Sequence, residues 1–222
     1  MAPSDPIVKV VTVSATYGAG GSVIAPQLAE RLGLPFFDRL IHGVDRPTVE
    51  GLAERLTSEE RNQAPPGRIV AGLSSMSGAL GLSVPDAGDL DPVATLRRQV
   101  ETSVSRVATS TGGVILGRAA AVVLASHPGV FHVRLHGPEA KCLAIGMRME
   151  GASASQAKEF QADTDRARAR FVSRLFDRDA SDPRLYHLVI DSTALSFGYC
   201  VSMISDAANQ FWSFDPNEAV SS

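Results

Sequence analysis

Apolar residues fall in runs whose spacing changes along the chain, and each change marks an element. Val8-Lys9-Val10-Val11-Thr12-Val13 is compact and β-branched, which predicts a buried strand. It runs straight into a cluster of glycines. Val23, Ile24, Leu28 and Leu32 follow at helical spacing, and Gly33 supplies a C-terminal cap. Leu34-Pro35-Phe36-Phe37 reads as a second strand ending at Asp38. Strand, glycine loop, helix, strand in that order predicts a right-handed crossover and a parallel sheet.

Residues 43 to 90 break this rhythm. They are rich in Gly, Pro, Ser and polar residues, as in Asn62-Gln63-Ala64-Pro65-Pro66-Gly67, and read as a mobile insertion with short helices around 48–59 and 68–80. So long a connection is either functional or disordered. Order returns at Asp91-Pro92, an N-cap followed by proline at the first helical position. Val93, Leu96, Val100, Val104 and Val107 then share one helical face, and Gly112-Gly113 ends the helix. Val114-Ile115-Leu116 is a short strand, and a helix follows through Ala119–Ser126. The next strand is Val130-Phe131-His132-Val133-Arg134-Leu135. Helices over 138–150 and 154–176, a strand Tyr186-His187-Leu188-Val189-Ile190 and a helix over 196–211 complete the chain. Five strands alternating with helices predict a single α/β domain over 1–222, doubly wound around a parallel sheet.

Composition adds exclusions. At 222 residues, 44% hydrophobic and 20% charged, the chain can build one ordinary core. A net charge of -3 exerts no global pull on nucleic acid, and no basic, aromatic-interleaved stretch points to RNA or DNA. Cys142 and Cys200 sit in apolar, helix-like stretches and read as two reduced core thiols. No apolar stretch reaches the roughly 20 residues of a membrane span, and the N-terminus lacks a signal-peptide pattern, so a cytoplasmic protein is expected. The five histidines offer no zinc-ligand spacing, and no G-x-S-x-G motif points to a hydrolase triad.

The chemistry concentrates in the glycine cluster. A phosphate loop needs backbone N–H groups converging at a helix N-terminus, where the helix dipole also favours an anion. Laid on the pattern G-x-x-x-x-G-K-[ST], the chain reads Ala15-Thr16-Tyr17-Gly18-Ala19-Gly20-Gly21-Ser22. The inner glycine and the serine are present, Ala15 replaces the first glycine, and Gly21 replaces the lysine. Tyr17, Gly18, Ala19, Gly20, Gly21 and Ser22 are therefore the candidate nucleotide-phosphate site. Ser22 is the candidate Mg²⁺ ligand and, equally, a plain N-cap. If Ser22 caps the helix, Pro26 removes its first internal bond.

With its downstream motifs the chain resembles the cytidylate-kinase-like family of P-loop kinases. The motifs are Val11-Thr12-Val13-Ser14 through Ser22, Phe36-Phe37-Asp38-Arg39-Leu40-Ile41, Val114-Ile115-Leu116-Gly117-Arg118, Asp163 to Arg170, Asp182-Pro183, Tyr186 and Asp191-Ser192-Thr193. The family carries Y-G-A-G-G-S at the loop, so the resemblance makes the missing lysine a family trait. It implies a nucleoside monophosphate kinase fold, with 43–90 as the acceptor-binding insertion and 151–183 as an arginine-bearing lid. Two departures stand out: Ala15, where the family commonly has arginine, and Ala119, where bacterial cytidylate kinases have aspartate. The latter also carry the lysine.

The resemblance implies roles for several side chains. Arg118 ends a strand where ligands bind in open sheets and would grip the acceptor phosphate. Arg166, Arg170, Arg174 and Arg178 recur every four residues on one helical face, an ordinary solvated pattern that here falls in the lid. Arg166 and Arg170 would close over the transferring group, offsetting the lysine. Asp38 would hold a metal-bound water, orient the acceptor, or simply cap a helix. Asp191 reads as a turn residue. The expected activity is ATP- and Mg²⁺-dependent phosphoryl transfer to a nucleoside monophosphate, with CMP the leading acceptor. The alternative is a nucleotide-binding sensor or partner-binding protein of the same fold with little or no turnover. The sequence leaves the oligomeric state open.

Overall fold

The β-branched run near the N-terminus forms β1 (Val10–Ala15), two residues later than expected, and the glycine cluster leads it into α1 (Gly21–Leu32). In the computed structural model, residues 8–38, 92–117 and 119–214 are described. Beyond α1 come β2 (Phe36–Phe37), α2 (Pro92–Thr109), β3 (Gly113–Leu116), α3 (Ala120–Val123), β4 (Val130–His136) and α4 (Glu139–Glu150). The chain continues with α5 (Ala154–Phe176), a 3-10 turn at Pro183–Leu185, β5 (Leu188–Asp191) and α6 (Phe197–Ser213). The expected insertion at 43–90, with its short helices, lies outside the described residues.

All strand pairs are parallel, in the order β2-β3-β1-β4-β5. The expected doubly wound α/β architecture is therefore present. Side chains alternate across β1 and sort into two cores. Val11 and Val13 pack with Ile24 and Leu28 of α1 and with Val201 and Ile204 of α6. Val10 packs with Ile115, Val130, Val100 and Val104 and with Leu124 beyond α3. Thr12 and Ser14 point to this second side, as His132 and Arg134 do on β4. Among the described residues, no helix is long and apolar enough to cross a membrane.

The third helix is shorter than expected. It covers only Ala120–Val123: Ala119 precedes it in the left-handed region at φ 54°, and Leu124, at φ -100° and ψ 13°, leaves the helical angles at its other end. An alanine there carries roughly 1–2 kcal/mol of strain. Ser22 is not the cap of α1 either. Gly20, at φ 76°, holds that position, and Ser22 is an exposed residue in the first turn. Pro26 consequently lies inside the helix rather than in its first turn, and the bond it omits is the one to the Ser22 carbonyl.

Candidate active site

The loop between β1 and α1 is held from three sides. Thr16 extends the β1–β4 ladder by donating its N–H to the Leu135 carbonyl at 3.1 Å, and Ala19 N–H turns back onto Thr16 O at 3.2 Å. Ser192 Oγ donates to Ala19 O at 2.8 Å from the turn after β5. Gly18 and Gly20 have positive φ, and a Cβ at either would also collide with protein: with the Cys142 carbonyl at Gly18 and with the Phe197 ring at Gly20. These glycines thus let the loop press onto α4 and α6 as well as adopt its turns.

The N–H groups of Gly18, Gly20, Gly21 and Ser22 find no acceptor among the described residues. Val23 and Ile24 N–H already donate to Gly20 O at 3.0 and 2.8 Å. The Gly21 and Ser22 donors lie at the positive end of the α1 dipole, the arrangement that binds an anion. A Cβ at Gly21 would sit 2.7 Å from Ala15 Cβ, too close without a shift. The two departures from the phosphate-loop pattern are therefore coupled: the Ala15 methyl occupies room that a side chain at position 21 needs.

The loop opens on a cleft of about 350 Å³. One wall is α5, which contributes Asp165, Arg168 and Val172. Asp165 Oδ1 accepts the Tyr17 N–H at 2.8 Å, and Arg168 Nη1 donates to Ala15 O at 3.1 Å. An acidic side chain thus sits on one amide of the loop. The Tyr17 ring lies buried against Gly146, and its hydroxyl donates to Glu150 Oε2 at 2.8 Å. Burial first, and then Glu150, push the Tyr17 pKa up to about 12.

The other wall comes from β4 and the segment before β5. Arg134 Nη1 donates to Ser14 Oγ at 3.1 Å, and its guanidinium lies 5.6 Å from the Tyr186 ring centroid. One rung deeper on the same strands, Thr12 Oγ1 and His132 Nδ1 are 2.7 Å apart and buried. Burial first, and then the neighbouring His187, push the His132 pKa down to about 4. His132 is therefore neutral in the folded protein near pH 7. Cys142 and Cys200 are buried free thiols whose pKa burial raises.

Of the expected site residues, the cleft gathers Tyr17, Gly18, Gly20, Gly21, Ser22 and Asp38. Ala19 is buried beneath the loop. Arg118 lies outside the described residues. Arg166 and Arg170 do not line the cleft: Arg166 pairs with Asp163 at 3.3 Å with its side chain 57% exposed, and Arg170 faces solvent. Asp191 is the expected turn residue, accepting from Thr193 N–H and hydroxyl. Sequence reading missed Arg168, Asp165 and Arg134. The signal for the first two was the buried stripe Ala157, Gln161, Val172 and Leu175, whose 3.6-residue period selects Asp165 and Arg168. The four-residue spacing instead selected Arg166 and Arg170, turned about 100–160° away from Asp165 and Arg168. For Arg134 the signal was polar alternation within β4.

The model of the cytidylate kinase-like family matches residues 10–194 of this chain. Comparison with curated proteins gives no match. A solved structure of an uncharacterized protein from Eubacterium ventriosum ATCC 27560 aligns with TM-score 0.60 and 16% identity, covering 90% of this chain and 98% of that one. At that identity it speaks for the fold alone. A gluconokinase from Sinorhizobium meliloti 1021 aligns with TM-score 0.49 and 18% identity, over 92% of this chain and 93% of its own.

Proposed function

The chain belongs to the cytidylate kinase-like family, and from that premise we propose that it moves the γ-phosphoryl group of ATP to a small acceptor, a nucleoside monophosphate such as CMP being the leading one. The observation that carries this reading is the set of open N–H groups at Gly18, Gly20, Gly21 and Ser22, presented to a cleft at a helix N-terminus. They would hold the donor phosphates. The acceptor oxygen forms a bond to the γ-phosphorus as the bond to ADP breaks. A monophosphate acceptor attacks through an oxygen that is already anionic, so no strong base is needed, and positioning with charge neutralisation supplies the catalysis.

Arg168 is the lid cation best placed to neutralise the transferring group, since it already reaches the carbonyl that begins the loop. Arg166 and Arg170 would require α5 to turn or tilt before they could contribute, and Arg118 is proposed as one of the contacts to the acceptor phosphate rather than its sole holder. Asp38 and the exposed Ser22 hydroxyl border the same cleft and suit Mg²⁺, a hard cation that keeps several waters. Mg²⁺ bound with ATP would neutralise phosphate charge. The segments 43–90 and 151–183 would serve as acceptor-binding insertion and lid. A binding protein with little turnover is the second reading, favoured by the Asp165 carboxylate on the loop and by the coupled Ala15 and Gly21 departures.

The test is transfer from ATP and Mg²⁺ to a panel of nucleoside monophosphates, with gluconate and shikimate as non-nucleotide acceptors. Transfer to one acceptor, reduced about 100-fold in Arg168→Ala, supports the kinase. Nucleotide-induced thermal stabilisation without transfer to any acceptor supports the binding protein.

A further inference from the structure

The same cleft holds a second guanidinium that neither the glycine loop nor the lid accounts for. Arg134 stands on β4 opposite Ser14 of β1 in the parallel register. Both side chains belong to the sheet side of Val10 and Thr12, the side away from α1, because Val11 and Val13 take the α1 side. The loop amides open at the N-terminus of α1 instead. The two anion-attracting groups thus approach the cleft from opposite sides of the sheet.

Arg134 is built into its place. Ser14 Oγ accepts one of its N–H groups, and the Tyr186 ring backs the guanidinium. That ring is fixed in turn by the Tyr186 hydroxyl donating to Ala180 O at 2.7 Å. Among the described residues Arg134 has no carboxylate within ion-pair distance. The charge of Asp179 is felt across the cleft rim, but its Oδ1 accepts from the Ser181 N–H and hydroxyl at 2.8 and 2.7 Å. A half-buried guanidinium held by a hydroxyl and a ring keeps its remaining donors and its charge for something else. A planar fork of N–H groups matches two oxygens of one phosphate or carboxylate.

We infer that Arg134 holds the anionic group of the acceptor at a second subsite of the cleft, separate from the amides that take the donor phosphates. The inference rests on the reading of this cleft as a phosphoryl-transfer site. It names the acceptor class as a small anion, either a phosphate monoester or a carboxylate. Ser14 and Tyr186 are positioning residues, acting through Arg134.

Calorimetric titration tests this with Mg·ADP first added to fill the loop, followed by CMP, inorganic phosphate or gluconate. The expected result is anion binding to the wild type in the presence of Mg·ADP, weakened at least tenfold in Arg134→Met and only a few-fold in Arg134→Lys. Mg·ADP affinity should stay within about twofold in both variants. Tighter binding of CMP and phosphate identifies a phosphate monoester acceptor, and tighter binding of gluconate a carboxylate. Ser14→Ala should weaken the same titration while leaving the melting temperature unchanged, which keeps the test valid if Arg134→Met folds poorly. Unchanged anion affinity in Arg134→Met, or no anion binding to the wild type, overturns the inference. Anion binding that needs Arg134 in a protein with no affinity for Mg·ADP would instead remove the donor reading and leave this subsite standing.

Discussion

Two rungs of the same strand pair show how depth separates structure from chemistry. Thr12 faces His132, and Ser14 faces Arg134, on neighbouring strands, on the same side of the sheet, two residues apart. Each rung joins a hydroxyl on β1 to a basic side chain on β4. The deeper rung is sealed: Thr12 is 1% and His132 4% exposed. The His132 backbone N–H also donates to His187 Nδ1 at 2.9 Å. The ring stays neutral because burial disfavours its charged form. The upper rung opens to the cleft and keeps a permanent charge. The same pairing therefore serves the core at one level and a ligand at the next.

Exchanging the residues tests the difference most severely. His132→Arg places an unpaired charge in the core and should cost more than about 3 kcal/mol, enough to prevent folding, as read by circular dichroism and melting. Arg134→His should fold with a near-native melting temperature. Acid should act on the deeper rung alone. Because the folded pKa of His132 lies below its unfolded value, its contribution is complete above about pH 6.5 and is lost as pH falls toward 4. The loss should approach about 3 kcal/mol in urea unfolding across that window, and it should shrink in His132→Gln. Thr12→Val should cost about 1–2 kcal/mol by leaving the imidazole nitrogen unpaired, against less than about 0.5 kcal/mol for Ser14→Ala.

Smaller effects are expected at the margins of the cleft. Asp165→Asn removes a negative charge from the loop and should tighten tripolyphosphate binding by about three- to tenfold, as measured by calorimetry. Ala119→Gly should relieve the left-handed backbone before α3 and raise stability by about 0.5–1 kcal/mol.

The order of strands and helices was legible because burial imposes period 2 or 3.6 on apolar positions, and glycines mark the turns. The loop was legible for the same reason, since Gly18 and Gly20 occupy backbone angles that other residues resist. The walls of the cleft were harder to read. Which face of α5 looks inward is decided by packing, through Val172 and Leu175, and not by the regular spacing of its arginines. Arg134 could be placed on a strand from sequence, but its partners Ser14 and Tyr186 lie 120 and 52 residues away. The clash between Ala15 and a side chain at 21 is likewise visible only once the loop closes on itself.

The loop should bind donor phosphates through its backbone amides, without a lysine. Backbone amide chemical shifts during a Mg·ATP titration test it most directly. Large shifts confined to Gly18, Gly20, Gly21, Ser22 and their neighbours, with Gly33 at the far end of α1 unmoved, are the predicted result. Saturating Mg·ATP that leaves those four amides where they were would contradict it.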